Sequence, residues 1–231
     1  MARLTMRTLA KWHIWLGWLV GVPIVMWLAT GLLMVARPIA EVRGEHLQRE
    51  VTQEALAIPG STLAGDGTNL AEMRVTMQDG RAVAVLTGLD GSVRRVDFAT
   101  GAPLPPLNAA AARALVARRI IGGDKVERVT LFPADKVPFD FRRPLTVWQV
   151  ALADGTNVYV GRDTGTIEAV RTRWWRAFDL TWGLHIMDIS AREDTSHPVL
   201  ILFAAISLTA ALIGCVLMFR RRKARARVPA A

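Results

Sequence analysis

Ile14 to Ala36 reads IWLGWLVGVPIVMWLATGLLMVA, 23 residues without a charge. As a helix rising about 1.5 Å per residue, such a run is long enough to cross a bilayer core of about 30 Å. Arg3, Arg7 and Lys11 precede it. A cleavable signal peptide has a shorter apolar core, about 7–15 residues, and ends in a small-x-small site. Here the exit is Met34-Val35-Ala36, with Met34 where a small residue is wanted. The stretch 14–36 therefore reads as an uncleaved membrane helix. A second uncharged run, Pro198 to Phe219, is 22 residues long and stops at Arg220. It reads as a second membrane helix, with Pro198 at a tolerated first-turn position.

The formal net charge is +9. A basic balance of this size is one footprint of nucleic-acid binding, but the distribution excludes that reading. Three basic residues and no acid precede residue 14. Arg220, Arg221, Arg222, Lys223, Arg225 and Arg227 follow residue 219, again without an acid. Of 29 basic residues these nine form two short tails, 1–13 and 220–231, and the remaining 20 are matched by the 20 acids between them. This is the positive-inside pattern: both tails cytoplasmic, the middle extracytoplasmic. The tails also suit anionic lipid headgroups. Cys215 is the one cysteine and lies in the second apolar run, so the middle domain must be stable without a disulfide.

From Arg37 the composition is that of a soluble domain. Val42, Leu47, Val51 and Leu56 among charges predict a helix over 41–57, followed by a Gly- and Ser-rich loop over 59–69. Met73–Met77, Ala82–Leu86 and Val93–Phe98 read as strands separated by Asp79-Gly80 and Asp90-Gly91 turns. A second round follows: helix 109–121, then strands 126–132, 146–152, 157–160 and 166–170. Asp90-Gly91 and Thr100-Gly101 shift by 64 onto Asp154-Gly155 and Thr164-Gly165; Arg74-Val75-Thr76 shifts by 54 onto Arg128-Val129-Thr130. The difference places a ten-residue insertion in 133–144. Two tandem units are expected, 37–106 and 107–170, each a helix followed by an antiparallel meander. The fold class is then α+β with two transmembrane helices. In the bridge 171–197, Trp175, Phe178, Trp182, Ile186 and Ile189 share one helical stripe, with Asp179 and Asp188 off it. That predicts an amphipathic interfacial helix with Trp174 and Trp175 at headgroup level.

Lys11-Trp12-His13-Ile14-Trp15-Leu16-Gly17, Thr30-Gly31-Leu32-Leu33, Val158-Tyr159-Val160 with Asp163-Thr164-Gly165, and Trp182-Gly183-Leu184-His185 stand in a particular order. In that order they resemble the PepSY-associated transmembrane family, in a short two-helix form. The resemblance implies a bacterial inner-membrane protein with PepSY-like units outside the cytoplasm. It also implies partners in iron uptake or respiratory redox systems, and, in larger four-helix members, haem held by membrane histidines.

Neutral imidazole is a haem ligand type. His13, at the cytoplasmic start of the first helix, and His185 and His197, both near the outer face, are the haem candidates. His13 and His185 stand on opposite sides of the hydrocarbon layer, so the pair available to one haem within one chain is His185 with His197. The structural reading of the same residues is an interfacial ring at His185 and a polar helix start at His197. His46 is a surface residue. No HExxH, CxxC, GxSxG or phosphate loop occurs, and no catalytic constellation is assigned. Arg142 and Arg143 in the inserted loop are the candidates for binding an acidic partner; a solvated loop is the alternative. The leading function is a non-catalytic accessory of other membrane proteins, with homo-oligomerisation open. The alternatives are a haem-bearing electron-transfer component and a peptidase-modulating or chaperone module.

Overall fold

The structure, a computed structural model, describes residues 5–50 and 69–225, with side chains as far as Arg220. The chain forms two compact units, 1–38 with 177–231, and 39–176. The loop expected over 59–69 lies outside the described residues except at its last position.

In the first unit, α1 (Met6–Val35) and α5 (Pro198–Arg225) are long and apolar enough to cross a membrane and pack along each other. Both exceed their apolar runs because the basic flanks are helical too. The Thr5 hydroxyl caps α1 by accepting from the Thr8 N–H at 3.3 Å. The less exposed positions of α1 include His13, Leu16, Val20 and Ile24, and those of α5 include Phe203, Ser207, Ala210, Gly214 and Leu217. Their spacing of three or four residues is that of a helix–helix seam. The opposite side of α1 stays open, with Trp15 76%, Trp18 80% and Val22 78% exposed.

The bridge departs from the expected stripe. The helix α4 (Arg173–His185) ends at His185 rather than at Ile189. Met187, two residues past the end of α4 and next to Asp188, takes the left-handed conformation (φ 58°), which keeps the helix from continuing. Asp188 and Asp179 are both buried, although they lie off the apolar stripe. The Asp188 carboxylate accepts from the Ser190 hydroxyl at 2.9 Å and from the backbone N–H groups of Ala191, Glu193 and Asp194 at 3.1, 3.1 and 3.2 Å. Burial works to raise its pKa, but these four donors together outweigh burial and hold the carboxyl well below the usual range. One carboxylate thereby folds the 188–194 loop. Arg192 closes it by pairing with Asp179 at 2.7 Å, its stem lying against Gly183.

The second unit contains two four-stranded antiparallel meanders. The first is β1 (Leu70–Gln78), β2 (Arg81–Gly88), β3 (Val93–Asp97) and the short β4 (Pro103–Leu104). The second is β5 (Val126–Phe132), β6 (Val147–Leu152), β7 (Asn157–Gly161) and β8 (Ile167–Arg171). Between them α3 (Ala109–Arg119) starts at Asn108, whose side chain accepts from the Ala111 N–H at 2.9 Å. Ala112, Val116 and Ile120 lie against Val150, Leu152, Val158 and Val160, the main core.

The registers correspond. Val83 pairs with Asp97 and Val147 with Gly161, a shift of 64 on both strands. Thr76 pairs with Val83 and Phe132 with Val147, so the first strands shift by 56. Both first strands are also irregular at the same point, Leu70/Glu72 and Val126/Arg128. The matched Arg-Val-Thr triplets suggested 54, and the insertion is therefore eight residues, not ten. A two-residue slide preserves which side chains face inward, so alternation alone could not detect it.

The helix expected over 41–57 is not formed across its described part. The α2 turn (Ile39–Val42) is followed by Gly44 at φ 73° and a 3-10 turn, Glu45–Leu47. A Cβ at Gly44 would meet Val170 Cγ1 at 2.8 Å, so the break is also a close approach. Gln48 then bridges Ile120, and Leu47 packs against the main core. The second meander's core thus recruits the segment that periodicity alone reads as helix.

The insertion covers the other face of the second sheet. Even-numbered Trp148, Val150 and Leu152 face α3, whereas Val147 and Tyr159 join Phe141 from the inserted loop. Tyr159 donates to Asp140 Oδ1 at 2.5 Å and accepts from Gln149 Nε2 at 2.7 Å. Burial first, then the bonded Asp140 carboxylate, pushes its pKa up. Phe141 is 1% exposed and Phe139 is 51% exposed. Phe141→Ala should destabilise this unit by about 3–5 kcal/mol through the cavity it leaves. Phe139→Ala should cost less than about 1 kcal/mol. Denaturant unfolding of the full chain followed by circular dichroism checks the difference; equal effects would mean the loop is not part of the core.

Candidate functional site

Two of the three haem-candidate histidines occupy one local geometry. His13 on α1 has Nδ1 3.1 Å from the Ala210 carbonyl oxygen of α5. Its Cε1 lies 2.9 Å from where a Cβ on Gly214 would be. His185, at the end of α4, has Nδ1 3.2 Å from the Trp27 carbonyl oxygen of α1 and 3.1 Å from Thr30 Oγ1. Its Cε1 lies 3.2 Å from the corresponding position on Gly31. In each case the accepting carbonyl is four residues before the glycine. An α-helix carbonyl at i already accepts from the N–H at i+4, so the ring shares that acceptor. Only a missing side chain at i+4 lets it come so close.

A carbonyl oxygen can only accept, so Nδ1 carries a hydrogen on both rings, and in a neutral ring so bonded the lone pair is on Nε2. At His185 the arrangement has two further supports. The ring stacks on Trp27, centroids 4.7 Å apart and planes 15° apart. Thr30, itself buried, sends its hydroxyl to the carbonyls of Met26 and Trp27, both at 2.9 Å. The ring read from the sequence as interfacial is therefore seated on α1.

His197 stands just before α5, with Nδ1 buried and without a hydrogen-bond partner. No hydrogen bond or ring contact joins it to His185 among the described residues. His13 and the Trp27–Gly31 seat of His185 are separated along α1 by more than about 20 Å at 1.5 Å per residue. His46 sits exposed in the 3-10 turn. Among the described residues no three His, Cys, Asp or Glu side chains converge as a metal site.

Arg142 and Arg143 are turned to intrachain work. Arg142 (φ 59°) donates from Nε to the Phe139 carbonyl at 3.0 Å and lies 4.3 Å over that ring. Arg143 donates to the Glu168 carbonyl at 2.7 Å and pairs with its carboxylate at 3.1 Å. Arg142 thus braces the inserted loop internally, and Arg143 straps it to β8.

Gly31 is a point of close approach, to the His185 ring, whereas Gly17 and Gly21 face open space. Gly214 and Asp188 were missed. The signal for Gly214 is an Ala210-x-x-x-Gly214 spacing indistinguishable from ordinary small-residue content of an apolar helix.

No family model, no curated protein and no solved structure matches the chain.

Gly214→Ala and Gly31→Ala should both loosen the helical unit, the former more because its contact is tighter. Gly17→Ala should be neutral or slightly stabilising. Thermal unfolding of the full chain in detergent micelles checks the order. A Gly214→Ala protein as stable as wild type would show that His13 does not hold the two helices.

Proposed function

We propose that the chain is a membrane-anchored accessory protein that works by contact with other membrane proteins rather than by catalysis. In this reading α1 and α5 both span the inner membrane, the basic tails are cytoplasmic, and the β-rich middle is extracytoplasmic. The observation that carries it is the open face of α1. Trp15, Trp18 and Val22 are more than three-quarters exposed beside a seam that already satisfies α5. Such side chains cost about 1.5–3 kcal/mol each to leave in water, and lipid or a further helix removes that cost. The positive-inside distribution sets the orientation. The order of motifs resembling PepSY-associated membrane proteins supports iron uptake or respiratory redox systems as the setting, with tandem PepSY-like units as the outer domain.

A photo-crosslinking residue at Trp18 or Val22 should give adducts with a second, different membrane protein in cells. Reporter fusions at Ala231 should be active only in forms that work inside. Release of the chain by alkaline extraction, or an exported C-terminal reporter, would overturn the anchor. Adducts with itself alone would overturn the accessory role.

A second reading, a haem-bearing electron-transfer component, is favoured by the histidine geometry. With Nδ1–H committed to a carbonyl, Nε2 is the atom an axial ligand offers, and this kind of tie orients ligating imidazoles. His13 and His185 lie too far apart to share one haem. A six-coordinate site would take its second ligand from His197 or from another chain. Purified protein made with ample haem should then show a Soret band that His185→Ala or His13→Ala removes and His46→Ala leaves. Absence of the band in wild type ends this reading and leaves the first intact.

A further inference from the structure

The geometry points to a carboxylate-binding cavity in the middle unit, between the first meander and α3. The ligand it fits is a carboxylate on a short, branched apolar body. This site is separate from the histidines and independent of the accessory or haem reading.

The argument starts from the register. A shift of 64 puts Arg95 of β3 at the position that Tyr159 of β7 occupies in the second meander. Both face away from the sheet side that carries the alternating apolar core. Tyr159 is neutral and is bonded to Asp140 from the inserted loop. The first meander's shorter hairpin brings Asp79 to this wall, but its carboxylate pairs with Arg118 and not with position 95, where a guanidinium stands in place of the phenol. Arg95 is only 9% exposed. It donates from Nη1 to Gln78 Oε1 at 3.2 Å and from Nη2 to the Pro105 carbonyl at 2.7 Å. Its Nε is buried without an acceptor, and no carboxylate pairs with it among the described residues. Asp163 and Asp79 act on this cation only from beyond ion-pair distance; a buried cation whose hydrogen-bond partners are all neutral is costly, and a buried N–H with none adds to the cost. A charged acceptor arriving from outside relieves both.

The chain around Arg95 is shaped to keep it there. Gly165, at φ 71°, lies in the turn before β8, and a Cβ there would sit against Arg95 Nη1. Gln78 Nε2 donates to the Thr164 carbonyl at 3.2 Å, fixing the amide that holds the guanidinium. Arg95 opens on a cavity of about 340 Å³, a volume suited to a small molecule. Its charged lining is Arg49, Arg95, Arg118 and Arg119 against one acid, Asp79. Asp79 already pairs with Arg118 at 2.9 Å, so this wall holds a carboxylate of its own. The remaining excess positive charge selects an anion, and it is the apolar remainder of the lining that disfavours a strongly hydrated dianion such as phosphate. Leu107, Ala111, Leu115 and Ile167 line the rest and select an apolar body. Two sources supply this chemistry: a free branched acid, or a peptide ending in a branched apolar residue.

The test is calorimetric titration of the full chain in detergent micelles. The probes are 4-methylpentanoate, acetyl-alanyl-leucine, the carboxamide of each, and inorganic phosphate. The carboxylates should bind and their carboxamides should bind about tenfold or more weakly, the loss expected for one charge-assisted contact. Tighter binding of the dipeptide assigns a peptide C-terminus, and tighter binding of 4-methylpentanoate assigns a free acid. Arg95→Gln should lower affinity by a similar factor. Ala111→Leu, which adds bulk to the cavity lining and keeps the arginine, should do the same, and it decides the matter if Arg95→Gln does not fold. The inference is overturned if wild type binds neither carboxylate. It is equally overturned if the carboxamides bind as well, if phosphate binds tighter than both, or if Ala111→Leu keeps wild-type affinity.

Discussion

A backbone carbonyl inside an α-helix has a second lone pair, and the helical unit is organised around the use of it. His13 takes that of Ala210 and His185 that of Trp27, each ring lying over a glycine one turn on. Two apolar helices have little reason to choose a register by hydrophobicity alone when both faces are greasy. A polar ring donating to one carbonyl, at a place where one residue lacks a Cβ, supplies that choice. The same donation fixes the tautomer of both rings. The clasp is thus one arrangement used twice, at the two ends of α1.

The middle unit shows a duplicated framework put to different ends. Both meanders share pairing, irregularity and turn positions. Eight extra residues in the second hairpin bring Asp140 and Phe141 over Tyr159 and make that face a second core. Without them, the equivalent face of the first meander carries a buried guanidinium beside a cavity. Insertion length, a modest entropic matter in itself, thus separates a face that is filled from one that is open.

Much of the architecture was legible because its signals are local. An uncharged run of 23 residues, Asp-Gly turns and alternating strands need no knowledge of the partner that covers them. The sequence by itself determined the two apolar helices, the two meanders with α3 between them and the placement of the insertion. Only the tertiary structure decided the 56-residue register, the extended course of Gln48 and Arg49, and the end of α4 at His185. It alone put Arg95, Asp179 and Asp188 inside. The physical reason is common to all of these. A two-residue slide, a buried charge and a shared carbonyl leave the hydrophobic period unchanged, and each is settled by a partner distant in sequence.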